Sequence, residues 1–370
     1  MSAGRDPAAL VFSGWSVLSP FGAKTSEFRA GIRTRSTALR PVRPDQGPVP
    51  ITRIGTVDDF EVREALGAKG TRSMDRVTGL AVEGVRRVLD DLPGMGPAAD
   101  TAVVLGTTTG SLRSMMEFVE DSFVQDKPFQ VDPARFPNAV MNRAAGQCAI
   151  WHGLRGPNTT LAGGRAAAVS VLQYATRLYH RDRARTVLCA MVEEFSAHRA
   201  WVEYLAAGRR DRPLGEGCAV FVLEPWRTAR AAGRTAAAEL VRVEQGVWGP
   251  AAPARDVLTR LIRSALCGAG VGSHEVALVL VGGAPDTDPW PDFAAAELEA
   301  VREVLPHTEI RSLADLIGDC GAATGGFQLA ALLSADPAVG APYSVLTSVD
   351  PDGVAGCVVI RRDDPTEEFR

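Results

Sequence analysis

Hydrophobic positions in this chain fall into two kinds of run that alternate along its length. Mostly apolar stretches at residues 9–17, 101–105, 186–191, 218–223, 236–245, 276–281, 343–348 and 356–361 predict strands. Few of them show the in–out alternation of a half-solvated strand, so they belong in a sheet covered on both faces. The stretches between them have helical period. Val77, Leu80, Ala81, Val85, Val88 and Leu89 recur on one face of a helix predicted over residues 74–92. Further helices are expected at residues 25–32, 112–124, 254–268, 292–304 and 320–334, with another over 136–151 that enters after Pro137. Ser19-Pro20-Phe21-Gly22 reads as a turn, and residues 34–57, rich in Arg, Pro and Thr, as a surface excursion.

Alternating strands and helices of this kind predict an α/β fold with a parallel or mixed sheet. The strand at 101–105 with its turn Gly106–Gly110 is echoed by the strand at 276–281 with Gly282-Gly283. That echo predicts an internal duplication, with halves at residues 8–225 and 226–370. Gly106–Gly110 lacks the lysine of a phosphate-binding loop and the full dinucleotide fingerprint, so it reads as a tight strand-to-helix turn.

With 370 residues, 46% of them hydrophobic, the chain can bury a large core. Its net charge of −4 and the lack of a basic stripe interleaved with aromatics argue against a nucleic-acid partner. No apolar run reaches membrane-spanning length, and Met1–Leu10 lacks a secretory pattern, so a cytoplasmic protein without membrane association is expected. Cys148, Cys189, Cys218, Cys267, Cys320 and Cys357 are dispersed, which predicts neither a metal site nor a disulfide framework.

The most informative stretch is Gly156–Ala168. It reads as a buried strand turning sharply into a helix that runs from Arg165 to about Tyr179. Arg165 stands at the tip of this elbow. A guanidinium stays protonated and cannot act as a nucleophile.

Several motifs in order resemble those of a β-ketoacyl synthase of the thiolase fold. They are the opening strand and turn Val11–Gly22, Arg72-Ser73-Met74-Asp75-Arg76, Gly146-Gln147, His152–Asn158, Val192-Glu193-Glu194 and Gly215-Glu216-Gly217-Cys218-Ala219-Val220 to Leu223-Glu224. The resemblance implies a five-layer αβαβα sandwich of two pseudo-symmetric halves. It also implies a cysteine at the elbow, whose thiolate the helix N-terminus favours, and two histidines that bind the thioester carbonyl and assist decarboxylation. Here the elbow position is Arg165. The first histidine position falls in Gly282-Gly283-Ala284-Pro285, at Gly283. The second falls on Asp319 within Gly318–Gly325, and the family's lysine position on Ala314. The loop before the Gly215 strand is shortened to Arg209–Leu214, and the family's glycine-rich phenylalanine gate is not recognisable around Asp352–Gly356.

This pattern of substitution resembles a chain length factor, the non-condensing partner of a type II polyketide ketosynthase. Arginine departs from the glutamine common at the elbow in that subfamily. The resemblance implies a heterodimer with an active ketosynthase α subunit and visits by an acyl carrier protein. That carrier brings the phosphopantetheine-linked chain, so no cofactor of this chain's own and no metal are expected. It also implies that Phe136, Asn138, Val140 and Met141 wall the tunnel that limits chain length. Met115, Met116 and Phe118 are further candidates for that wall or for core.

Arg165 and Asp319 are expected to face one small cavity and to pair, plugging it. The alternatives are that Arg165 reaches solvent or pairs with Glu193 or Glu194. Cys320 as a displaced nucleophile and His152 as a base are the remaining chemical candidates, and they would make the chain an enzyme of rewired mechanism. A homodimeric scaffold is the third reading. Cys148 reads as packing, and His180, His198, His274 and His307 as surface residues.

Overall fold

The apolar runs form strands whose alternate residues feed two different cores. Val103 and Leu105 pack on one side while Ala102 and Val104 pack on the other; Leu188, Ala190 and Val192 oppose Val187, Cys189 and Met191 in the same way. Burial on both faces is why these strands read as unbroken apolar sequence. The computed structural model describes residues 5–92, 100–284, 290–335 and 340–362.

The first set of strands is β1 (Leu10–Leu18), β2 (Thr101–Thr107), β3 (Asn158–Ala162), β4 (Thr186–Glu193) and β5 (Gly217–Pro225). The second is β6 (Ala238–Val247), β7 (Val276–Val281), β8 (Glu309–Ser312), β9 (Tyr343–Val349) and β10 (Val354–Arg361). The order across the 10-stranded sheet is β8-β7-β9-β10-β6-β1-β5-β4-β2-β3. Each set therefore repeats one order, with its second strand parallel to its third and fourth and the remaining pairs antiparallel. Within the sheet the two sets meet where Val11 stands opposite Glu239 and Phe12 opposite Ala238.

Helices complete five layers. On the outside of the first set lie α2 (Arg76–Asp91) and α4 (Arg143–His152), which enclose the core of Val77, Leu80, Val85 and Cys148. Between the sets lie α5 (Ala167–His180) and α9 (Ala323–Ser334), packed into a core that takes residues from both. α7 (Ala254–Ala269) and α8 (Pro291–Val304) cover the far side. α1 (Thr25–Thr34), α3 (Leu112–Val124) and α6 (Ala197–Ala206) flank this sandwich. Asp75 caps α2 by accepting from the Thr78 N–H. Among the described residues no helix is long and apolar enough to cross a membrane.

Four expectations need correction. The helix expected over 136–151 is broken: Phe136–Ala139 is a short 3₁₀ turn, Val140 is extended, and α4 starts only at Arg143. Pro137 and the polar residues Asn138 and Asn142 leave no continuous apolar stripe there. Residues 34–57 are not merely superficial. Arg40–Pro41 and Arg53–Gly55 form a small sheet with Leu214–Gly215, and Ile51 and Ile54 are buried against Ala200 and Leu214. β3 is half-buried at the sheet edge rather than buried. The elbow helix starts at Ala167, with Gly164–Ala166 forming a 3₁₀ turn ahead of it.

Candidate functional site

The elbow is built where β3 meets α5 between the two sets of strands. Gly163 donates its N–H to the Thr107 carbonyl at 3.1 Å, which ties the elbow to the end of β2. Gly164 has φ +49°, and a side chain there would collide with the Asp350 carboxylate. Glycine is required on both counts.

Asp350 lies just beyond β9. Its Oδ2 accepts the Arg165 backbone N–H at 2.7 Å, and its Oδ1 accepts the Asp352 N–H at 2.9 Å. A carboxylate at the entry to α5 meets the positive end of the helix dipole. Burial raises the Asp350 carboxyl above its ordinary range despite these donors. The Arg165 N–H is thereby already satisfied within the chain.

The Arg165 side chain is 6% exposed and Asp319 is 7% exposed. Arg165 Nη2 donates to Asp319 Oδ2 at 2.8 Å. Asp319 Oδ1 also accepts the Gly321 N–H at 3.0 Å. Burial alone would raise the Asp319 carboxyl, but the guanidiniums of Arg165 and Arg199 and the hydrogen bonds it accepts outweigh this and hold it below the usual range. Arg199, itself buried, donates to the Asp319 carbonyl at 3.0 Å and to the Gly215 carbonyl at 2.7 Å. Glu203 lies one turn further along α6, 3.9 Å from Arg199 Nε. Burial pushes its carboxyl up to about 7.

The neighbouring acids have other partners. Glu193 accepts from the Thr108 backbone and hydroxyl and from the Ala322 N–H. Glu194 accepts from the Val77 N–H at 3.1 Å and the Ser111 hydroxyl at 2.7 Å. Burial, reinforced by nearby Asp75, pushes the Glu194 carboxyl up to about 8.

Gly283 follows β7 and is buried, so the first histidine position presents no side chain. Gly282 next to it donates its N–H to the Glu297 carboxylate at 3.1 Å. Ala284 closes the described part of that turn; Pro285 lies outside the described residues. Cys320 is fully buried, with its thiol pushed up by burial and its Sγ against the Ile317 and Gly318 carbonyls. Activation of a thiol requires the reverse, an electropositive and accessible setting. Cys148 is buried and pushed up to about 12 by burial. His152 Nε2 contacts the Val82 carbonyl at 3.0 Å, and burial lowers its basicity. His180, His274 and His307 are exposed, whereas His198 is half-buried. Among the described residues no cluster of three or more His, Cys, Asp or Glu side chains could hold a metal.

Phe136, Asn138, Val140 and Met141 form a second group. Phe136, Val140 and Met141 are exposed on this single chain. Asn138 donates to the Ser73 carbonyl at 2.6 Å and accepts from Arg143 Nε at 3.3 Å. Phe118 meets Phe136 edge-on at 5.9 Å. Gly110 has φ +72°, a conformation that favours glycine, and a Cβ there would crowd Met141 Cα at 3.1 Å. The turn after β2 thus separates the two groups: Thr108 faces Glu193 and Gly110 faces Met141. Phe123 (82% exposed), Phe129 (75%), Ile150 (75%), Trp201, Val202 and Leu205 are further exposed apolar side chains, on or near α3, α4 and α6.

The sequence profile described as "Beta-ketoacyl synthase, N-terminal domain" matches residues 10–229, more than half of the chain. This chain belongs to the beta-ketoacyl synthase family. It is 25% identical over 352 residues to the 3-oxoacyl-[acyl-carrier-protein] synthase 2 of Staphylococcus aureus (strain COL), covering 86% of this chain and 83% of that protein. The Vibrio harveyi protein of the same name is 26% identical over 255 residues, 63% of this chain and 61% of its own length. Among solved structures, a chain of "The ishigamide ketosynthase/chain length factor" superposes with a TM-score of 0.87 at 36% identity, covering 96% of this chain and all of that one. A beta-ketoacyl synthase from Burkholderia phymatum gives a TM-score of 0.81 at 20% identity and shares the fold.

Asp350, Arg199 and Glu203 were not foreseen at the site. Asp350-Pro351-Asp352-Gly353 is a turn signal at the place where the family's glycine-rich gate is missing, and that departure marks the segment. Arg199 and Glu203 sit on a helix without a sequence signal of its own.

Proposed function

We propose that this chain is a non-condensing chain length factor, which pairs with an active ketosynthase in type II polyketide biosynthesis. The observation that carries the reading is the Arg165–Asp319 pair at the elbow. Where the family holds a nucleophile and a histidine, this chain holds a neutralised ion pair. The elbow N–H, a donor that could polarise a thioester carbonyl, is taken by Asp350. Gly283 contributes no side chain at the remaining position.

The surface supports the partner. Exposed large apolar side chains such as Phe123, Phe129, Phe136 and Ile150 are the kind of surface that a protein partner covers. β3 lies at the edge of the sheet, and its outer edge is a ready template for pairing. In this reading the ketosynthase covers the face, and Phe136, Asn138, Val140 and Met141 become tunnel wall. The neighbour at 36% identity carries both words, ketosynthase and chain length factor, in its description. A structure at 17% identity is described as a type II acyl carrier protein in complex with its ketosynthase, which is consistent with a carrier protein as the second partner here.

The curated relatives are named as condensing synthases, which favours a catalytic reading; the elbow chemistry weighs against it. Co-expression with a candidate ketosynthase, followed by product sizing for wild type and Met141→Trp, tests the proposal. A one-to-one complex is expected, with shorter products from the Trp variant. The bulkier side chain would oppose extension by about 1–3 kcal/mol. A homodimer that ignores the ketosynthase, or unchanged product length across substitutions at all four wall positions, contradicts it.

A further inference from the structure

A cavity of about 810 Å³ opens at the end of α9 remote from the elbow. Ala322 and Ala323, at the start of α9, lie beside Glu193, whereas Ala331, Ser334 and Ala335 at its end line the cavity. The 12 residues of α9 put about 18 Å between the two places. The cavity therefore belongs neither to the elbow nor to the apolar face.

Its composition is two-sided. Ile32, Leu278, Leu280, Leu313 and Leu316 supply an apolar floor. Arg29, Arg33 and Arg35 from α1 and its C-terminal cap line it too, as do Arg311 and Arg362, the last donating to the Leu332 carbonyl at 3.0 Å. Among the described residues the one acid in the lining is Glu309, and it is paired with Arg311 at 2.6 Å. Among the described residues no carboxylate pairs with Arg29, Arg33 or Arg35. Arg29 lies over the Trp15 ring at 4.7 Å, which fixes its direction. Arg35 holds φ +50°, a left-handed conformation that glycine adopts far more readily. A chain of net charge −4 thus gathers several guanidiniums around one apolar hollow.

We infer that this cavity binds a small amphiphile with a carboxylate head and an apolar body. Guanidiniums recognise carboxylates through charge-assisted, bidentate hydrogen bonds, and the Leu/Ile floor supplies burial for the body. The volume lies within the range of ordinary small-molecule sites. The inference is independent of the pairing proposed above.

Decanoate is a suitable probe, titrated calorimetrically into the full chain with Trp15 emission followed in parallel. Saturable binding is expected, weakened about tenfold or more by the surface double variant Arg33→Glu/Arg35→Glu, by replacing decanoate with decanol, and by high salt. The emission change should vanish in Trp15→Phe while binding persists. The substituted arginines are exposed, so the fold should survive, as an unchanged melting curve would show. Lack of saturable binding, equal affinity for decanol, or indifference to charge reversal overturns the inference.

Discussion

The elbow and the apolar face differ in where their demands are met. At the elbow the polar groups find partners inside the chain: the Arg165 guanidinium on Asp319, the Arg165 backbone N–H on Asp350, and Arg199 on the Asp319 and Gly215 carbonyls. On the face, Phe123, Phe129, Phe136 and Ile150 are more than half exposed among the described residues. One region is closed and self-sufficient; the other is open and incomplete. That contrast is what the proposed role requires: a reaction centre turned into structure and a surface that does the work.

The comparison breaks most visibly if the face is made polar. Phe123→Asp combined with Ile150→Asp should weaken ketosynthase pairing by at least about 100-fold, read by size-exclusion chromatography of the co-expressed proteins. The isolated chain should keep its melting temperature, because both side chains are already exposed. A loss of fold without partner would show that the face serves the monomer.

The elbow should behave oppositely. Asp319→Ala strands a buried guanidinium and is expected to cost about 3–5 kcal/mol in denaturant unfolding. Replacing both members, Arg165→Met with Asp319→Leu, should recover most of that loss. If Asp319→Ala proves neutral, the pair is not the plug it is taken to be.

A smaller effect sharpens the electrostatics beneath the site. Glu194 is pushed up to about 8 in the folded chain, from an ordinary carboxyl value when unfolded. Between those values the folded state binds the extra proton, so stability falls as pH rises through that window, by up to about 1.4 kcal/mol per pH unit. Glu194→Gln should flatten this slope while keeping the bonds to Val77 and Ser111. Asp319 works with the other sign: held below the usual range, it stabilises at neutral pH and loses that contribution only as pH falls through its lowered value.

The strands were legible because burial on two faces writes an unbroken apolar run. β8 was not, since Glu309–Ser312 is a short, largely polar edge strand. The break at Val140 escaped because helical period alone does not register an extended residue between two helical pieces. The elbow position could be read from its glycines and the motifs before it. Its partners lie far along the chain, at Asp319 in the turn before α9 and Asp350 just beyond β9, and only the tertiary fold brings them to one place. The motif order pointed to Asp319, whereas Asp350 and Arg199 had no pattern to announce them.

The most direct test is to incubate the purified chain with acyl- and malonyl-carrier thioesters, alone and with a candidate ketosynthase, and to examine both proteins by mass spectrometry. Acyl adducts should form on the ketosynthase only, and condensed product should require it. An acyl adduct on this chain, or product made by it alone, would contradict the account.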